Sequence, residues 1–139
     1  MRHFFSSLIL FVAITSATLS TSSCSNDEGN IAEKAIVGKW KLEKKGSSPW
    51  TGKEKTLLFQ EDGTVDCHSD QINYQGIYAI NNVSVKEEIV YCDLTITKTL
   101  NNHSTQIHYW CTLQNNVMIL DNRDVIAFVD ATESYIRIN

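Results

Sequence analysis

Residues 89–100 read IVYCDLTITKTL and residues 103–114 read HSTQIHYWCTLQ, with Asn101-Asn102 between them. Val90, Cys92, Leu94 and Ile96 occupy alternate positions of the first run; Ile107, Tyr109, Cys111 and Leu113 do the same in the second. A period of two places one apolar face on each of two strands. Asn tolerates the positive φ that a two-residue hairpin loop demands, so Asn101-Asn102 reads as the turn between them. With a loop of that length Leu100 faces His103, and eight steps back along each strand bring Cys92 opposite Cys111. The two cysteines are therefore a candidate disulfide on the apolar face. They sit at a hydrogen-bonded site, where side chains stand farther apart, and the alternative is two reduced thiols packed as small hydrophobes. Cys67 is either a competing partner or the leftover thiol.

The same pattern recurs outward from this hairpin. Gly38–Glu43 alternates, with Trp40 and Leu42 on one side and Lys39, Lys41 and Glu43 on the other; Lys45 is expected to share that outer, solvated face. Ser47-Ser48-Pro49 interrupts the chain at its only proline. Thr56–Gln60 and Thr64–Ser69 are strands joined through Glu61-Asp62-Gly63, and Tyr74–Ile80 is a further strand ended by Asn81-Asn82. Asn115-Asn116 turns the chain into Val117–Leu120. Val125–Val129 is apolar without a decisive period, and Tyr135–Ile138 is the last strand. About eight short strands with tight turns predict an all-β fold, a small antiparallel up-and-down barrel, because closure removes the exposed edges of a meander.

The N-terminus reads differently. Arg2 precedes the apolar run Phe4–Ile14, and small polar residues follow as far as Cys24. A run this short falls well below the roughly twenty residues needed to span a bilayer, and the pattern reads as a secretory signal over residues 1–23. Thr21-Ser22-Ser23-Cys24 resembles a bacterial lipobox, although Thr21 stands where Leu is usual. That resemblance implies acylation of Cys24, a palmitate-type anchor in the outer membrane, and a surface-exposed or periplasmic domain. Ser25-Asn26-Asp27-Glu28 resembles the short acidic export signal of Bacteroidetes surface lipoproteins. Residues 24–35 are expected to form an acidic tether, with Asn30 capping one helical turn through Ile36, and residues 36–139 a single domain.

Ile36-Val37-Gly38-Lys39-Trp40-Lys41-Leu42 resembles the Gly-x-Trp opening strand of lipocalin-like proteins. Leu57–Val65, turning through Asp62-Gly63-Thr64, resembles their second signature, and Gly76-Ile77-Tyr78 their following strand. Together these resemble the lipocalin-like domain of small Bacteroidetes-type lipoproteins. The resemblance implies a β-barrel in which Trp40 is a structural plug at the closed end, packed against Arg137 or Arg123. It implies little about a ligand. The chain is too short for a lipocalin's long barrel and C-terminal helix, and residues 46–54 cannot form the helix pair of fatty-acid-binding proteins.

No catalytic pattern emerges. His68-Ser69-Asp70 holds the residue types of a hydrolytic triad, but consecutive strand residues point to opposite faces. Cys67-His68 fails as a metal pair for the same reason, and His103 and His108 differ in parity. No metal site, cofactor or enzymatic activity is expected, and a net charge of −4 without a basic stripe argues against nucleic acid. Trp110 has the parity of the outer face, either covered by a loop or part of a contact surface. Two functions remain. One is a lipid-anchored binding protein that holds a small apolar ligand in the barrel, its binding residues unidentified. The other is a structural or interaction lipoprotein, its barrel filled and in contact with an envelope partner. Cavity size separates them, since ligand pockets are usually larger than about 300 Å³.

Overall fold

The computed structural model describes residues 24–125 and 131–139. The signal peptide expected over residues 1–23 and most of Val125–Val129 lie outside them. One helix, α1 (Cys24–Ile36), precedes nine strands: β1 (Gly38–Lys45), β2 (Ser48–Pro49), β3 (Thr56–Phe59), β4 (Thr64–His68), β5 (Tyr74–Lys86), β6 (Ile89–Leu100), β7 (His103–Gln114), β8 (Val117–Asn122) and β9 (Thr132–Ile138). All neighbours pair antiparallel, and β9 returns to β1, with Lys39 opposite Ile138 and Trp40 opposite Arg137. The two-residue β2 only extends the edge of β1. The other eight strands form the closed barrel expected from the alternation.

The central hairpin has the expected register: Leu100 pairs with His103 and Cys92 with Cys111. Asn101 and Asn102 adopt φ of 50° and 65°, the left-handed conformation that such a loop requires. Inward residues of the eight barrel strands converge on one core, which includes Trp40, Leu57, Phe59, Val65, Leu94, Ile96, Met118, Leu120 and Tyr135.

Three local features differ from the sequence reading. Asn81-Asn82 is not a turn. β5 continues through it to Lys86, and the loop is Glu87-Glu88, with φ of 50° and 65°. The register slips between Asn81 and Ser84, and Asn82 takes φ of 50° while its amide donates to Asp93 Oδ2 at 2.7 Å. This bulge exchanges the two faces of the strand: Tyr78 and Ile80 pack inward before it, Val83 and Val85 after it. A second bulge, between Leu42 and Lys44, turns Lys45 to the side of the inward Glu133. Lys45 therefore leaves the outer face it was expected to share with Lys39 and Lys41.

The third difference is α1. The stretch expected to be a tether with a single capped turn is a helix of 13 residues that seals one end of the barrel. Ala32 and Ile36, four residues apart on one helix face, are fully buried in the core. Among the described residues no helix is long and apolar enough to cross a membrane.

Candidate functional site

At the closed end, Trp40 is fully buried and its indole N–H donates to the Ile36 carbonyl at 2.7 Å. The Arg137 guanidinium lies 4.3 Å from the ring centroid and donates to the carbonyls of Val37 (2.5 Å) and Ala35 (2.6 Å). These groups satisfy carbonyls that the last turn of a helix leaves without partners. Gly38 has φ of 136°, and a Cβ there would stand 2.3 Å from Arg137 Nη1. The Gly-x-Trp pattern is thus a packing requirement: glycine makes room for the guanidinium that covers the tryptophan. Of the two arginines weighed for this place, Arg137 takes it. Arg123 instead stacks 5.0 Å from the Trp110 ring and pairs with Asp93 at 3.3 Å, on the outer face.

Outside the barrel, beside this end, lies an open groove of about 860 Å³. Its walls are α1, with Glu33 and Lys34, and the β3–β4 turn, with Glu61 and Asp62; Tyr78 to Ile80 of β5 form its floor. Thr64 fixes the turn by donating its N–H and hydroxyl to Asp62 Oδ1, at 3.0 and 2.6 Å. These bonds hold the Asp62 carboxyl below its ordinary range. The Tyr78 hydroxyl donates to the Gln60 carbonyl at 2.8 Å, and its ring meets Phe59 edge-on at 5.1 Å. Burial raises the Tyr78 hydroxyl pKa, and Glu33, Asp62 and Glu61 raise it further. Three carboxylates thus converge on this groove.

At the opposite end, among the described residues, two clefts of about 190 and 250 Å³ share Lys45, Lys55, Tyr109 and Glu133. Lys55 Nζ donates to both oxygens of Glu133, at 2.9 and 3.0 Å, and the Tyr135 hydroxyl donates to Glu133 Oε2 at 2.5 Å. Burial, then Glu133, pushes the Tyr135 and Tyr109 hydroxyls upward. Tyr74 is raised by burial and then by Cys67. All three phenols therefore stay protonated, and Tyr135 is the one that donates to the Glu133 carboxylate. Burial pushes the Cys67 thiol up as well, which leaves it a poor nucleophile. Trp50 folds over this mouth with its N–H on the Lys53 carbonyl at 2.8 Å. The arrangement can bind and orient a small molecule through hydrogen bonds; it holds no activated nucleophile.

The remaining sequence candidates separate. His68 ends β4, and Ser69 Oγ is committed to the Ile72 carbonyl at 2.8 Å. His108 pairs with Asp124 at 3.1 Å on the surface. Among the described residues no group of His, Cys, Asp and Glu could hold a metal ion. Cys92 and Cys111 face each other as buried free thiols. The hydrogen bond they share lowers the Cys92 thiol pKa and raises that of Cys111. Cys24 is the first residue of α1, and its side chain lies outside the described residues. The Lys55–Glu133–Tyr135 cluster escaped the sequence reading because Glu133 precedes the expected last strand. Its signal was an acidic residue at the inward parity of Tyr135. Neither a protein-family model nor a curated protein matches this chain.

Proposed function

We propose that this protein is a lipid-anchored cell-envelope interaction protein, a filled β-barrel that meets a partner through its outer surface. One observation carries the reading: side chains pack the barrel interior, and the groove of about 860 Å³ lies outside it, beside α1. Neither mouth cleft reaches the roughly 300 Å³ at which ligand pockets usually begin. The anchor rests on the apolar leader and the lipobox-like residues ending at Cys24. Several acyl chains on one cysteine hold firmly, since burial contributes about 0.8 kcal/mol per CH₂ group.

A second reading, a binding protein with a small ligand at the mouth, is favoured by the buried polar cluster there. With Lys45, Lys55 and Lys98 on its walls beside Asp70 and Glu133, that site suits a small polar molecule better than a wholly apolar one.

Native mass spectrometry of the protein isolated from its host separates the two. The interaction reading expects the mass of the processed, acylated chain alone; a small molecule retained at one per chain would overturn it in favour of the mouth. Labelled palmitate tests the anchor. Cys24→Ala is expected to abolish incorporation, and equal labelling of variant and parent would refute acylation at this residue.

A further inference from the structure

The barrel is closed, yet one of its strands keeps an open edge. β5 runs from Tyr74 to Lys86, but β4 pairs with it only from Tyr74 to Ile77. One more bond follows, from the Tyr78 N–H to the Gly63 carbonyl at 2.9 Å. The other side of β5 is paired with β6 as far as Lys86. In an antiparallel ladder alternate residues direct both backbone groups to the same neighbour. Ala79 is therefore turned towards β6, and Ile80 towards the side where β4 has ended. The β4 ladder stops at Ile77, and among the described residues no turn or loop hydrogen bond reaches the Ile80 N–H or C=O from that side.

Unpaired backbone of this kind is a template for another strand, and proteins commonly blunt it with lysine, proline or a bulge. The bulge of β5 begins only at Asn81, one residue beyond Ile80. Between Tyr78 and the bulge the edge opens into the 860 Å³ groove. Neighbouring strands lie about 4.8 Å apart, and a half-open groove of this size accommodates an extended chain at that spacing. Its charged lining is three carboxylates, Glu33, Glu61 and Asp62, against one lysine, Lys34. All three carboxylates act on the Tyr78 hydroxyl, so their fields overlap above the strand edge.

Resting on the interaction reading above, we propose that the Tyr78–Ile80 edge of β5 receives an extended, basic segment of a partner protein as an added strand. The Ile80 N–H and C=O would exchange hydrogen bonds with the incoming backbone. Lysine or arginine side chains at alternate positions would meet Glu33 on the α1 wall and Glu61 and Asp62 on the turn. Backbone pairing supplies the affinity in this mode of recognition, and the walls supply the choice of sequence.

The test uses the purified protein and a synthetic nonapeptide that alternates lysine and threonine, with a matched peptide of glutamate and threonine. Amide hydrogen exchange is followed residue by residue. In the free protein Ile80 is expected to exchange fast while Ala79 is protected; a protected Ile80 would overturn the proposal. The lysine peptide is expected to slow exchange at Ile80 at least tenfold, and the glutamate peptide to leave it unchanged. The double variant Glu33→Lys/Glu61→Lys alters two exposed side chains and is expected to reverse the preference. Equal response to both peptides, or protection confined to other strands, would refute the site. A photo-crosslinking residue at exposed Ala79 completes the test in the host. The segment cross-linked at Ala79 is expected to be rich in lysine or arginine, and a linked segment without basic residues would overturn the proposal. A partner captured only from the Trp110 face would overturn it and leave the interaction reading standing, whereas a retained small molecule counts against that broader reading itself.

Discussion

Two arginines in this protein stack on two tryptophans, and the pairs do different work. Arg137 lies 4.3 Å from the ring of Trp40, which has no exposed surface; Arg123 lies 5.0 Å from the ring of Trp110, which is 56% exposed. The chemistry of the pairs is the same. The difference lies in what each guanidinium does with its N–H groups. Arg137 spends them on the Val37 and Ala35 carbonyls, tying the end of α1 to β9 across the barrel floor. Arg123 meets Asp93 on the surface, where water competes for both charges. Desolvation and the number of elements joined, rather than the identity of the pair, set how much such a contact stabilises.

Substitutions can break this contrast, and the largest effect is expected at Trp40. Trp40→Ala empties the barrel floor and orphans the Ile36 carbonyl, and should destabilise by about 3–5 kcal/mol in urea denaturation. An unchanged midpoint would show that Trp40 is no plug. Arg137→Ala leaves two more carbonyls without their donor and is expected to cost about 3 kcal/mol. A loss of similar size for Arg123→Ala would erase the distinction. Mild oxidation should join Cys92 to Cys111 and leave Cys67 free. Peptide mapping without reduction reads the link, and a loop of about twenty residues adds on the order of 3 kcal/mol. That bond would fix the ladder one step from Trp110 and Asp93, leaving the exposed pair still less to contribute. Gly38→Ala forces a side chain into the left-handed region and against Arg137, for about 1–3 kcal/mol. Arg123→Ala is the smallest, below about 1 kcal/mol by the same measurement.

What the sequence discloses follows the distance over which each feature is determined. The β6–β7 hairpin was legible to the residue because both strands and their turn lie in one continuous stretch, and only one register buries Cys92, Leu94 and Ile96. Trp40 was legible from its alternation with Leu42 and from the glycine two residues before it. The bulges were not. Asn81-Asn82 carries the composition of a turn, and only pairing with β6 shows that the chain continues straight. Likewise, Lys45 changes face through a bulge that exists in relation to β9, almost ninety residues away in sequence. α1 was underestimated because, among the described residues, its fully buried apolar positions are Ala32 and Ile36, too narrow a stripe to separate a docked helix from a polar tether. Lys55 and Glu133 are 78 residues apart, and no local pattern announces such a pair.

The seam between β1 and β9 has a kinetic meaning. Every other neighbouring pair in the barrel is close in sequence, but this one joins Lys39 to Ile138 and Trp40 to Arg137. Loop-closure entropy for that join must be met before its contacts can repay it, so formation of the seam is expected to limit the folding rate. Until β9 arrives, β1 and β8 each present an unpaired edge, and the floor of the barrel lacks the guanidinium that holds its helix. A chain emerging N-terminus first would hold Trp40 ready long before the arginine that completes its packing. The interval between the two is when this protein is most exposed to aggregation, and a holdase that shields β1 during that interval would raise its yield without altering its final stability.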